Sequence, residues 1–292
     1  MRFLTLNTHS WCEIHQIAKI RTLAKFIIEH QVDVIALQEV NQLTSTPVVK
    51  EPLNYRGGAG VPVHEDNYAL LLVQALNEMG ATYEWTLTET HIGWDRYDEC
   101  VAILSRLPIR GIKPINMSPG YGYHQVQRRA AQAALIETET GTFWCATTHM
   151  SWWDFDGEPL FAQEYAHLSQ ELAECARTAP VLLGGDFNSA AHLPNEGYAL
   201  VTSSGMIDTR SLAEHTDGEN TVHREIAGWE GSTDAKRIDF VFADRLLTVT
   251  SHAVVFRDNS PEAISDHSGL LLEIDPESWA PESILTPLTS QS

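Results

Sequence analysis

Six apolar segments of this sequence each carry, at one end, a carboxylate, a carboxamide or an imidazole. The first ends in Asn7-Thr8-His9 and the second in Gln38-Glu39. A later segment ends in Thr148-His149, and "VLLGGDFNS" ends in Asp186-Phe187-Asn188. Asp239 stands at the start of another, in Arg237-Ile238-Asp239, and Ser265-Asp266-His267 precedes the last. Gathered at one place, these groups suit phosphoryl chemistry. Hard cations such as Mg²⁺ take carboxylate and amide oxygens, keep several waters and bind phosphate oxygens. Glu39, Asn7 and Asp266 are that kind of ligand set, and Mn²⁺ is a further cation that such oxygens accept. A bound metal polarises a phosphoryl group and stabilises charge on the leaving oxygen. Asp186 is of the type that orients or deprotonates a water, and Asn188 of the type that donates to a phosphoryl oxygen. As an imidazolium, either His149 or His267 would stabilise a pentacovalent phosphorane. Asp239 would hold the tautomer of His267 and raise its basicity. Each residue alone reads as a turn, a cap or a structural group; their joint occurrence in this order points to a site.

The elements that must position them follow from periodicity. Strands are expected over Arg2–Leu6, Val32–Leu37, Val101–Ser105, Ala131–Glu137, Phe143–Thr148, Val181–Gly185, Arg237–Phe242 and Gly269–Ile274. Helical spacing runs through Ile14, Ile17, Ile20, Leu23, Ile27 and Ile28. It recurs through Tyr68, Leu72, Ala75, Leu76 and Met79, and through Phe161, Tyr165, Leu168 and Leu172. The mixture argues an α/β or α+β layered domain. We expect one domain over residues 1–275 and a frayed, proline-bearing tail over 276–292. Asn41–Asn67, Gly111–Gln127 and Thr209–Lys236 read as long loops, which in compact domains tend to be functional. The glycines 184 and 185 are expected to let the chain turn sharply before Asp186.

The composition, 43% hydrophobic and 20% charged, suits a globular core. No apolar stretch is long enough to span a membrane, and the N-terminal residues lack the apolar core of a secretory signal. The four cysteines have no metal-type spacing, and Cys145 and Cys175 sit among apolar neighbours as reduced thiols do. We expect a cytoplasmic protein. The formal net charge of −20 repels polyanions, and no Lys/Arg run offers a track for a nucleic-acid backbone.

The set Asn7, Glu39, Thr148-His149, Gly185-Asp186-Phe187-Asn188, Arg237-Ile238-Asp239 and Ser265-Asp266-His267 resembles the endonuclease/exonuclease/phosphatase superfamily. That superfamily includes pancreatic deoxyribonuclease, abasic-site endonucleases, neutral sphingomyelinases and inositol-polyphosphate phosphatases. The resemblance implies a four-layer sandwich, two mixed β-sheets packed face to face and flanked by helices, with the site at the strand ends along one edge. It implies a Mg²⁺-dependent phosphoesterase that uses water directly. By position, Glu39 and Asn7 belong to the metal region, and Asp266 completes the site. Asp186 and Asn188 face water and phosphate, His149 contacts phosphoryl oxygens, and Asp239 orients His267. Members acting on DNA often carry a tyrosine before the strand that here reads "VAILSR". This chain has Asp98-Glu99 there, which suggests an extra metal or hydroxyl contact at Glu99 or Asp98 instead.

Three features narrow the ester. The chain is acidic and lacks a basic groove. Trp11, Trp94, Trp152, Trp153 and Trp229 fall near the expected rim, and indoles stack on sugar rings. Trp152 and Trp153, beside Asp154 and Asp156, look most like a ligand rim, because carboxylates accept from sugar hydroxyls. No membrane-seeking helix is evident, which argues against work at a bilayer. Arg128 and Arg129 are expected to grip the phosphate dianion. "LTLNTHSW", "DECVAILSR" and "THMSWWDFDGEP" are similar to a branch that includes maltose 6'-phosphate phosphatases. That likeness implies a small phosphorylated sugar as substrate. A Mg²⁺-dependent nuclease or another phosphodiesterase of the superfamily is the alternative.

Overall fold

Apolar runs that are buried along nearly their whole length become strands between other layers, and the three expected helical stripes become helices lying over them. The computed structural model describes residues 1–57, 60–282 and 284–288. In chain order, β1 (Arg2–Asn7), α1 (Gln16–Glu29), β2 (Val34–Gln38), β3 (Gln42–Leu43) and α2 (Tyr68–Glu78) come first. Next are β4 (Glu84–Gly93), β5 (Tyr97–Ser105), β6 (Ile109–Asn116), β7 (Ala130–Glu137) and β8 (Thr142–His149). Then come α3 (Leu160–Ala176), β9 (Val181–Asp186), α4 (Gly197–Ser203) and β10 (Ile207–Asp208). The chain closes with β11 (Ala213–Asp217), β12 (Asp239–Ala243), β13 (Thr248–Val255) and β14 (Gly269–Asp275).

Two sheets result. One has the order β11-β13-β14-β1-β2-β5-β3, with β4 also paired to β5; the other has the order β10-β12-β9-β8-β7-β6. They pack face to face through Phe3, Val34, Ala36 and Ile103 on one side and Ile136, Phe143, Leu182 and Val241 on the other. The outer face of the first sheet is covered by α1 and α2, through Leu4, Leu6, Ile20, Leu23, Leu72 and Leu76. The outer face of the second is covered by α3, through Ala146, Leu183, Phe161, Tyr165 and Leu168. The four-layer sandwich is therefore present. α2 starts at Asn67, whose side chain accepts from Leu70 N at 3.1 Å, satisfying a free amide of the first turn.

The structure departs from expectation in places. Gly111–Gln127 does not begin as a loop: residues 109–116 form β6, an edge strand, the one setting where Pro114 leaves no ladder bond unmade. Thr209–Lys236 contains the edge strand β11. The tail over 276–292 is docked where it is described. Trp279 stacks on Phe143 with centroids 6.3 Å apart, Ile284 N donates to Asp244 O at 2.9 Å, and Leu288 packs against the α3 core. Residues 283 and 289–292 lie outside the described residues, as do 58 and 59 in the Asn41–Asn67 stretch. Gly184 and Gly185 lie inside β9 rather than in a turn, and they permit close approach instead. A Cβ on Gly184 would meet the Phe3 ring of the facing sheet at 3.1 Å, and one on Gly185 would lie 2.1 Å from Thr148 O in β8.

Candidate active site

Strand register alone lines up three of the expected residues. β8 runs parallel to β9 with His149 opposite Asp186, and β12 runs antiparallel to β9 with Asp239 opposite Asp186. In the facing sheet, β1 and β2 run parallel with Asn7 opposite Gln38, so Glu39 follows at the same edge. Asn7 joins the two sheets: its Nδ2 donates to Glu39 Oε1 at 2.9 Å and to Asp186 Oδ2 at 3.0 Å. The turn before β14 is fastened by Ser265 Oγ, which donates to Asn7 O at 2.7 Å, and this brings Asp266 and His267 to the same place.

His267 Nδ1 donates to Asp239 Oδ2 at 2.9 Å, and its Nε2 lies 3.6 Å from Asp186 Oδ2. Burial opposes charge on this imidazole, but Asp239 and Asp186 outweigh it and raise His267 well above its ordinary value. His149 Nε2 lies 3.7 Å from Asp186 Oδ2, on the Asn188 side. Asn188 adopts a left-handed backbone (φ 44°) and donates through Nδ2 to His149 Nε2 at 3.1 Å and to Met150 O at 3.0 Å. Its Oδ1 accepts from the Trp229 indole at 3.3 Å, a contact that ties the late loop to the site.

The remaining expected residues divide. Glu99, Arg129, Trp152 and Trp153 border the same cavity of about 1180 Å³ as His149, Asp186 and His267. Trp153 also packs on Phe161 of α3, at 5.9 Å between centroids. Arg128 does not belong there. Its guanidinium donates to the carbonyls of Glu89 and Thr90, the first at 3.1 Å, and lies over the Tyr123 ring. Adjacent residues point to opposite sides, and only Arg129 points in. Trp11 is likewise an anchor rather than a rim, its indole donating to Asp66 O at 3.1 Å. His9, 3.6 Å from Asp266, and His91, 3.7 Å from Glu99, also reach the cavity.

The profile of the endonuclease/exonuclease/phosphatase family matches residues 16–267. This chain belongs to that family. The family member is similar to a solved family protein from Leptotrichia buccalis, with 29% identity over 94% of this chain and 99% of that one and a TM-score of 0.82. A Bacteroides thetaiotaomicron mannosyl-6-phosphatase aligns at 18% identity and TM-score 0.66, over 94% of this chain and 99% of that one. D. rerio TDP2 complexed with a single-strand DNA product aligns at 15% and TM-score 0.64, over 94% and 98%. The comparison with curated proteins returned no match. Family members are hydrolases, phosphoesterases or nucleases, and typically depend on a divalent metal. No helix among the described residues is long and apolar enough to cross a membrane.

The donor set fits a divalent cation. Burial, together with the nearby carboxylates of Glu99 and Asp266, raises the proton affinity of Glu39. A hard cation offsets such crowding of oxygens. Glu39 and Asp266 offer carboxylates directly. Asn7 presents its amino group to Glu39 and Asp186, so ligation through its Oδ1 requires a half-turn of the amide.

Proposed function

We propose that the chain is a Mg²⁺-dependent phosphomonoesterase that hydrolyses a small phosphorylated sugar of the maltose 6'-phosphate type by direct attack of water. The observation that carries this reading is the charge of the cavity. Nine carboxylates and a single guanidinium, that of Arg129, border it among the described residues. A nucleic-acid backbone is held by many cationic side chains, each neutralising a phosphate, and this rim has none to spare. Sugar hydroxyls donate to carboxylates, and the exposed Trp94 with Trp152 and Trp229 gives rings a surface to stack on.

Glu39 and Asp266, with Asn7 after its half-turn, would hold Mg²⁺, or Mn²⁺ in its place. Bound there, the cation supplies positive charge that polarises the phosphoryl oxygens and the leaving oxygen. Asp186, fixed by donation from Asn188 N at 2.8 Å, orients the attacking water and accepts its proton. His267, held as an imidazolium by Asp239, faces the charge that builds on the phosphoryl oxygens. His149 and Asn188 complete the cradle from the other side. The water oxygen forms the new P–O bond as the bond from phosphorus to the sugar oxygen breaks; the sugar alkoxide takes a proton from solvent, Asp186 returns its proton to solvent, and phosphate leaves. A cytoplasmic location, with carbohydrate metabolism as the setting, fits the unpaired cysteines, three of them buried.

The test is phosphate release from hexose and disaccharide phosphates and nucleotides, beside cleavage of single-stranded DNA, all with Mg²⁺. A sugar phosphate should be turned over fastest, and EDTA should abolish the turnover. DNA cleavage far exceeding phosphate release overturns the substrate assignment.

A further inference from the structure

A second polar cluster borders the cavity, and the reaction steps above give it no part. Glu99, on β5, is approached at Oε1 by His149 Nδ1 at 3.4 Å and Arg129 Nη1 at 3.5 Å, and at Oε2 by His91 Nε2 at 3.7 Å. His91 and Arg129 are each only 3% exposed. Arg129 Nη1 and His91 Nδ1 nevertheless make no well-formed hydrogen bond, although buried polar groups are normally paired.

The fold sets this cluster up with some effort. The pairing of β4 with β5 shifts register between Glu89 and Ile92, a bulge that breaks the alternation of side chains. Arg128 ties down the two carbonyls of the bulge, and Thr90 Oγ1 donates to Glu99 O at 3.0 Å. The bulge places His91 against Glu99. Burial opposes ionisation of Glu99, but His91, His149 and Arg129 hold its carboxyl well below the usual range. Burial takes His91 down to about 4, so it is neutral at pH 7.

A carboxylate only accepts hydrogen bonds, a guanidinium only donates them, and a neutral imidazole does one of each. Side by side, these groups match alcohols, each of which both donates and accepts. Their near-zero summed charge matches an anion poorly. His149 joins this cluster to the reaction centre, with Nδ1 towards Glu99 and Nε2 towards Asp186. Glu99 and Asp186 thus flank one imidazole ring and border the same cavity. We propose that Glu99, Arg129 and His91 read hydroxyl groups of the leaving alcohol, so that the substrate class is a polyhydroxylated phosphomonoester and not a simple alkyl phosphate. The assignment rests on the phosphomonoesterase reading of the same site.

The experiment compares kcat/KM for a hexose 6-phosphate and for n-hexyl phosphate, with Mg²⁺, in the wild-type chain and in Glu99→Gln and His91→Leu. The wild-type chain should favour the sugar ester. The sugar-to-alkyl ratio should fall about 10- to 100-fold in Glu99→Gln, where a hydrogen bond to a charged group weakens, and about 3- to 10-fold in His91→Leu. His91 lies on an edge strand, so its variant keeps the test informative if Glu99→Gln fails to fold. A wild-type chain that hydrolyses both esters alike overturns the hydroxyl assignment while sparing the phosphomonoesterase. A ratio within threefold of wild type in the folded variants does the same. A wild-type chain that releases phosphate from neither ester overturns both readings.

Discussion

Asp239→Asn tests the buried pair at the centre of the site. The carboxylate accepts from His267 Nδ1 at 2.9 Å, and both side chains are 3% exposed, so little solvent screens them. The amide keeps the shape and an acceptor oxygen but removes the charge. A hydrogen bond to a charged group contributes about 1.5–3 kcal/mol. Felt fully in the transition state, that is roughly a 10- to 150-fold change in rate. Asp186 remains 3.6 Å from the other ring nitrogen, which places the expected fall in kcat towards the lower half, about 10- to 50-fold. The sign of the pH effect follows from the same charge. Asp239 raises His267, so its removal lets the imidazolium deprotonate at lower pH, and the alkaline limb of kcat should move to lower pH. The assay is phosphate release at saturating sugar phosphate from pH 5 to 10, with circular dichroism and a melting curve to establish folding. A folded variant with kcat within threefold of wild type and an unmoved alkaline limb refutes the role given to this pair.

Gly185→Ala should destabilise the fold by about 3 kcal/mol or more, since its Cβ would lie 2.1 Å from Thr148 O between two central strands; an unchanged urea midpoint would contradict that close approach. Trp229→Phe keeps an aromatic ring but removes the indole donor 3.3 Å from Asn188 Oδ1, so kcat should fall about 3- to 10-fold with the melting temperature little changed; equal kcat would separate this loop from the chemistry. Burial holds His252, whose ring nitrogens lack partners, down to about 4 against an ordinary 6.5. Between those values the unfolded chain binds a proton that the fold does not, so this residue lowers stability as pH falls from about 6.5 to 4, by up to roughly 3 kcal/mol. His252→Leu should flatten that part of the urea midpoint against pH, and an unchanged slope would refute the assignment.

The expected site was legible because each of its residues terminates or begins an apolar strand, and strand ends are where a layered sheet presents polar groups. His149, Asp186 and Asp239 needed only the correct register of three neighbouring strands to meet. What escaped is just as physical. β4 reads "EWTLTETHIG": its polar positions mask the period of two, and an added bulge shifts the register, so nothing in the sequence marks His91 as inward. Arg128 and Arg129 are chemically identical neighbours, and only the start of β7 decides which one enters the cavity. The proline-bearing tail looked unanchored because its attachments are mostly backbone bonds, to Leu246, Asp244 and Ser204, with Trp279 on Phe143 and Leu288 on the α3 core as scattered apolar anchors. Composition records none of these.

Charge, finally, assigns the cation a part in binding as well as in chemistry. Among the described residues the one guanidinium on the cavity border, that of Arg129, already faces Glu99, and the imidazolium of His267 faces two carboxylates. A phosphate dianion entering among nine carboxylates meets repulsion that these engaged groups do not cancel. In the proposed reading the cancelling charge arrives with a divalent ion held by Glu39 and Asp266. Substrate and cation should therefore bind cooperatively, and by linkage each should tighten the other by the same factor. Calorimetry on Asp186→Asn, which removes the proposed base, should detect sugar phosphate binding with Mg²⁺ present and at least about tenfold weaker binding with EDTA, a coupling of about 1.4 kcal/mol. Equal affinity in the two conditions would mean that Arg129 and the histidines alone carry the phosphate, and that the cation acts only after the substrate is seated.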